Sequence, residues 1–181
     1  MEKVELGEMK PRWTEAQIRE KCPWAVCGKS ADRKRNVITS LALDAHVQEA
    51  HNIKLQAKYK EIIENEQQWS TYRTEDAEYL LVGYGSMSRI GEAVVDAARE
   101  EGYKVGIVRP ITLFPFPEKP IKELLPQLKG ILTIEMSAGQ MVEDVKLTAN
   151  GAVPVHFYGR TGGIIPAPEE IMDALVKIIK G

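Results

Sequence analysis

The sequence predicts a three-layer α/β/α domain, doubly wound around a mainly parallel sheet and preceded by an irregular segment and one long helix. Three observations predict it. From about residue 76 to the end, the apolar runs YLLVGYG, KVGIVRP, GILTIEM and VPVHFYG alternate with amphipathic stretches. The first run is continuously apolar, as a strand covered on both faces requires. Hydrophobic residues make up 44% and charged residues 28% of 181, enough for a real core. Strand and helix in strict turn require right-handed crossovers, hence parallel strands with helices on both faces.

The elements follow in order. Residues 1–40 mix Pro, Trp, Gly and charges and read as irregular, with a short helix over 14–21. A long helix covers about 44–69, with Asp44 as N-cap. Val47, Ala50, Leu55, Tyr59, Ile62 and Ile63 give it a partial apolar stripe. TYRTEDAE is the linker, so residues 1–75 form a connector and 76–181 the α/β domain. After the first strand, SRIGEAVVDAAREEG forms a helix with Ile90, Ala93, Val94, Ala97 and Ala98 inward, stopped by Gly102. EKPIKELLPQLKG is a helical stretch opened by Pro120 and bent or ended at Pro126. GQMVEDVKLTANG is a short helix with a glycine stop, and the last helix turns Ile171, Ala174, Leu175, Ile178 and Ile179 inward.

Several function classes fall away. A net charge of −2 gives no basic field for nucleic acid. No apolar run reaches the length of a membrane span. MEKVELGEMKPRW has no apolar signal-peptide core, so the expectation is a cytoplasmic protein. Cys22 and Cys27 are separated by four residues, not the two of a zinc or redox knuckle, and read as reduced structural thiols. Two cysteines alone do not hold an iron–sulfur cluster. His46, His51 and His156 share no ligand spacing, so no metal site is expected.

With the usual strand order 2-1-3-4, ligands would bind at the carboxyl ends of the first and third strands. That crevice would be lined by Gly83 to Ser86, with Gly85 between them, and by Glu135 to Gln140. The glycine turn fails as a dinucleotide site on two counts. Ser88 stands where a third glycine belongs, with Gly91 three residues late, and the second strand ends on Arg109 instead of an acid. Arg109 could still meet a 2′-phosphate. The favoured reading is a tight turn with Ser86 or Ser88 capping the helix, its free N–H groups open to an anion or a partner's carboxylate.

Glu135, at a strand end, must be paired or hydrogen-bonded if buried. A structural bond is favoured over an acid–base role, because no His or nucleophile accompanies it. RPITLFPFP (109–117) carries Phe114 and Phe116, which must pack at home or against a partner. GRTGG (159–163), with Arg160, is a basic turn or an anion contact.

AEYLLVGYGSMSRIGEAVVDAAREEGYKVGIVRPITLFPFP, IEMSAGQMVEDV and GRTGGIIPAPEEI resemble the C-terminal part of the alpha subunit of 2-oxoacid:ferredoxin oxidoreductases, the 2-ketoisovalerate type in particular. DRKRNVITSLALD and the HNIKLQAKYKEIIENEQQW helix resemble that subunit's connector, so the likeness covers roughly residues 25–181. The resemblance implies a transketolase C-terminal-like domain. It implies work within a complex that oxidatively decarboxylates a 2-oxoacid, passes electrons to ferredoxin and makes acyl-CoA. The assembled complex would hold thiamine diphosphate, Mg and an iron–sulfur cluster. Beta, gamma and delta-type subunits would be partners, and a homodimer would bury the apolar loops.

The GDG…N diphosphate motif of thiamine enzymes is absent here. The implication is therefore that this chain alone binds none of these cofactors and is inactive by itself. Ser86, Arg109, Glu135, Gly139 and Gln140 match family motif positions and would serve packing and subunit contact near the crevice. The alternatives are the C-terminal domain of another transketolase-like or NAD-linked 2-oxoacid dehydrogenase, and an independent nucleotide-binding module.

Overall fold

Four strands form the parallel part of the sheet in the computed structural model, which describes residues 7–8, 13–25, 31 and 34–181; the first three are built on buried aliphatic residues and the last is half-buried to exposed. They are β2 (Tyr79–Val82), β3 (Val105–Pro110), β4 (Gly130–Glu135) and β5 (Val155–Gly159). All six residues of β4 are buried, as a strand covered on both faces must be. A fifth strand, β1 (Trp69–Tyr72), joins the edge, and the order is β1-β3-β2-β4-β5. The parallel strands thus take the expected 2-1-3-4 order.

Helices cover both faces. On one, α3 (Ser86–Glu100) and α6 (Pro168–Lys180) pack over Leu81, Ile107, Leu132 and Ile134. On the other, α4 (Glu118–Leu124) and α5 (Met141–Ala149) cover Leu80, Val82, Val108 and Ile131. Burying an aliphatic side chain of this size contributes ~1.5–3 kcal/mol, so these two clusters hold the three layers together.

The chain divides into two compact units, 1–53 and 54–181; the boundary read from the sequence, 75/76, falls inside the second. In the first unit, α1 (Glu15–Lys21) is opened by a capping box: the Thr14 hydroxyl accepts from Gln17 N–H while the Gln17 side chain accepts from Thr14 N–H. Cys22 in this unit is a free thiol, and Cys27 lies outside the described residues. The next helix, α2 (Ala45–Asn65), starts as expected, with Asp44 Oδ1 accepting from His46 and Val47 N–H at 2.9 and 3.0 Å.

Four local expectations are corrected. The long helix ends at Asn65, not Trp69, and Trp69–Tyr72 pairs antiparallel with β3 through Trp69–Pro110 to Tyr72–Ile107. The stripe on α2 is not a core face, since none of that helix's residues is buried. In α3 the inward face is rotated. Met87, Ser88, Gly91, Val94, Val95 and Ala98 are buried, while Ala93 and Ala97 are exposed. Gly91 explains the phase, because a Cβ there would lie 2.5 Å from Ile107 Cδ1 and 3.0 Å from Ile134 Cδ1. The helix touches the sheet where it has no side chain. Lastly, α5 is stopped by Asn150 in the left-handed conformation (φ 46°) ahead of Gly151; asparagine tolerates that region better than most residues. The stretch at Pro126 does end as expected, α4 closing at Leu124 and tightening into a 3-10 turn over Leu125–Gln127.

Candidate functional site

Strand order reverses between β2 and β4, so two strand–turn–helix junctions face each other at the sheet's carboxyl edge. At the first, Gly83 continues β2 and Gly85 sits at φ 58°, ψ −130° before α3, a conformation that favours glycine. The two strand ends are tight against each other, since a Cβ on Gly83 would lie 2.7 Å from Ile134 Cγ1. Neither serine caps the helix: no side chain does so. Ser86 is exposed. Ser88 is fully buried, and its hydroxyl donates to the Gly85 carbonyl at 2.8 Å. A buried hydroxyl in the first turn needs an acceptor, and the carbonyl one turn back supplies it.

At the second junction the turn is filled by a side chain. Glu135 ends β4 with 0% exposure. Its carboxylate accepts from the backbone N–H of Gln140 (3.2 Å), Met141 (3.1 Å) and Val142 (2.9 Å) and from the Ser137 hydroxyl (3.0 Å). Ser137 Oγ in turn accepts from Gly139 N–H at 3.0 Å. Gly139 stands at φ 106°, which lets the chain reverse between Ser137 and the helix. The first amides of α5 have no partner within the helix, and an internal carboxylate takes them. A negative charge at a helix N-terminus is stabilised by the dipole and by charge-assisted bonds. Partial burial, and then the nearby Glu135 charge, push the Asp144 carboxyl in the first turn of α5 above its ordinary value.

The remaining candidates disperse. Gln140 contributes its N–H, not its exposed side chain. Arg109 is exposed on β3, which β2 separates from the Glu135 loop. Arg160 donates its N–H to the Glu135 carbonyl at 3.2 Å, and its guanidinium meets Glu170 on α6 at 3.1 Å. Tyr158 donates to the other Glu170 oxygen at 3.1 Å, and Arg160 is therefore engaged by a carboxylate. Sequence reasoning missed Ser137 and Glu170. The E-x-S spacing of 135 and 137 was the available signal for the first; nothing in the sequence linked Glu170 to Arg160.

Phe116 packs onto the cluster beneath α4 and α5. Phe114 is 63% exposed and meets Tyr59 edge-on at 5.9 Å, with Ile111 and Leu113 exposed beside it in sequence. His46, His51 and His156 are all exposed. Among the described residues no group of three or more His, Cys, Asp or Glu could hold a metal ion. Among the described residues no helix is long and apolar enough to cross a membrane.

The fold and its two junctions define a transketolase C-terminal-like α/β fold in which the amides at the second junction are taken by the chain's own Glu135 carboxylate. Residues 77–171 match the model of pyruvate:ferredoxin oxidoreductase core domain II, and the chain belongs to that family. It is 46% identical over 155 residues to the ketoisovalerate oxidoreductase subunit VorB of Methanothermobacter marburgensis, covering 86% of this chain and 43% of the relative. It is 34% identical over 120 residues to the pyruvate synthase subunit PorA of Thermotoga maritima, covering 61% of this chain and 30% of the relative. Less than half the length of these relatives is thus spanned. A 2-oxoglutarate:ferredoxin oxidoreductase from Magnetococcus marinus shares the fold with TM-score 0.60 at 16% identity, over 76% of this chain and 24% of that one. A split-gene transketolase, described as an inactive beta4 tetramer, does so with TM-score 0.53 at 15% identity, over 62% and 41%.

Proposed function

We propose that this chain is the domain-II portion of the alpha subunit of a 2-oxoacid:ferredoxin oxidoreductase of the 2-ketoisovalerate type, and that its task is assembly. The observation that carries the reading is the 46% identity to VorB across 86% of the chain. Two features of the site support it. The amides at the head of α5 are held by Glu135 and leave no cradle for a diphosphate. The exposed apolar loop Ile111–Phe114 suits a subunit contact. Thiamine diphosphate, magnesium and the iron–sulfur cluster find no ligand set among the described residues; in the assembled complex they are held outside this chain. Within that complex the chain acts in the cytoplasm beside beta, gamma and delta-type subunits, with ferredoxin as electron acceptor and acyl-CoA as product. Gly83, Gly85, Ser86, Arg109, Glu135, Gly139, Gln140 and Arg160 serve packing and contact.

The test is purification of the tagged chain from its native cell extract, followed by an assay of viologen reduction driven by 2-ketoisovalerate. Activity co-purifying with a thiamine-bearing partner is the expected result. Tight binding of thiamine diphosphate with magnesium to the isolated chain, measured calorimetrically, would overturn the assembly reading.

A further inference from the structure

Among the described residues β5 is an edge strand, paired with β4 alone. Ile131 N–H donates to the Pro154 carbonyl and Arg160 N–H to the Glu135 carbonyl, so even-numbered residues of β5 turn their backbone groups inward. By alternation, Val155, Phe157 and Gly159 turn theirs to the open edge. The segment VHFYG holds no Lys, Asp, Glu or Pro, the devices that usually protect an edge. Beside it, on the α6 side, runs a groove of about 460 Å³ lined by His156, Phe157, Tyr158, Asp173, Lys177 and Ile178.

We propose that a second copy of this chain covers this edge, its β5 running antiparallel to the first about a two-fold axis through Phe157. The register follows from the backbone. An axis at Phe157 pairs Phe157 with itself and Val155 with Gly159, so every outward-facing residue exchanges hydrogen bonds with an outward-facing partner. His156 then falls opposite Tyr158 of the copy on the α6 side, the kind of aromatic cross-strand pair that favours pairing, while each Phe157 ring lies over its own Gly159 and Gly139 on the other side. The charges match as well. Asp173 and Lys177 are one turn apart on α6 and both line the groove. An antiparallel copy of α6 sets Asp173 against Lys177 and Lys177 against Asp173. Glu170, already bound by Arg160 and Tyr158, takes no part. A two-fold contact must be self-complementary in this way, and the charges fix its register more than its strength.

Sedimentation equilibrium of the full chain tests the proposal, with Asp173→Lys and Lys177→Asp prepared as separate variants. The chain itself should be dimeric at about 100 μM, where a contact of micromolar affinity is saturated. Each variant alone sets like charges against each other twice and should dissociate about tenfold or more readily. An equimolar mixture of the two restores opposite charges at both positions and should recover the dimer. That recovery also shows that neither variant is misfolded. Phe157→Pro, which removes an outward N–H without touching the β4 pairing, should leave a monomer with an unchanged circular dichroism spectrum. A chain monomeric at that concentration would mean that the edge is left for a different protein, and overturns the proposal. So does a dimer indifferent to Phe157→Pro, or variants that fail to recover on mixing.

Discussion

The two junctions at the sheet's carboxyl edge solve one problem in opposite ways. Between β2 and α3 the chain turns on glycine, contributes no side-chain cap, and brings helix to sheet through a missing side chain at Gly91. Between β4 and α5 it turns around a buried carboxylate that takes three amides and a hydroxyl. One junction is made by leaving atoms out and the other by burying a charge. The contrast teaches that a glycine turn resembling a phosphate loop can be a packing device, while the anion its neighbour holds is its own.

The largest effect should come from Glu135→Ala. It strips the acceptor from buried N–H groups, and charged hydrogen bonds of this kind are worth ~1.5–3 kcal/mol each, though not additively. A loss of ~3 kcal/mol or more in urea unfolding is expected, with Glu135→Gln losing less. A loss under 1 kcal/mol for the alanine variant would mean that water replaces the carboxylate and that the contrast is false. Gly91→Val comes next. Its side chain must displace Ile107 and Ile134, both buried, and overpacking costs ~1–3 kcal/mol. Gly91→Ala should cost less, because better helix propensity offsets about 1 kcal/mol. Equal stabilities for Val and Ala would show that α3 sits loosely on the sheet.

Ser88→Ala removes the buried hydroxyl's bond to the Gly85 carbonyl, which as N-cap still accepts within the helix, and should lower stability by about 1 kcal/mol or less in the same assay. The smallest effect is electrostatic. Burial and the Glu135 charge raise the Asp144 carboxyl above its ordinary 3.8. The folded chain therefore holds that proton more tightly than the unfolded one. The resulting contribution is fully present below 3.8 and is lost as pH rises through the raised value. Asp144→Asn should be slightly the more stable protein at pH 7, with the difference closing in acid. Removing the Glu135 charge should shrink it, and a difference independent of pH would sink the assignment.

Much of this architecture was legible in the sequence, because continuous apolar runs such as YLLV and GILTI leave few alternatives to buried parallel strands. WSTY was not legible as β1. Four residues with two polar ones in the middle give neither a run nor a resolved alternation, and its pairing with β3 is a tertiary event. The phase of α3 was misread for a related reason. Ala93 and Ala97 look more apolar than Gly91, yet close approach selects the residue with the least to bury. Glu135 could be recognised as a buried acid in need of partners. Its partners could not be, since backbone amides belong to every residue and leave no mark in the alphabet. The likeness to a known family was carried by loops, RPITLFPFP and EMSAGQM, which periodicity does not interpret.

The Glu135 clasp also has a consequence in time. Amides in the first turn of a helix usually exchange with solvent quickly, because nothing in the helix holds them. Met141 and Val142 are both buried and bonded to a carboxylate that is itself inaccessible. Their protons should therefore leave at the pace of the core strands beneath them. In deuterated water the head of α5 would be among the last places in the molecule to forget that it was made in ordinary water.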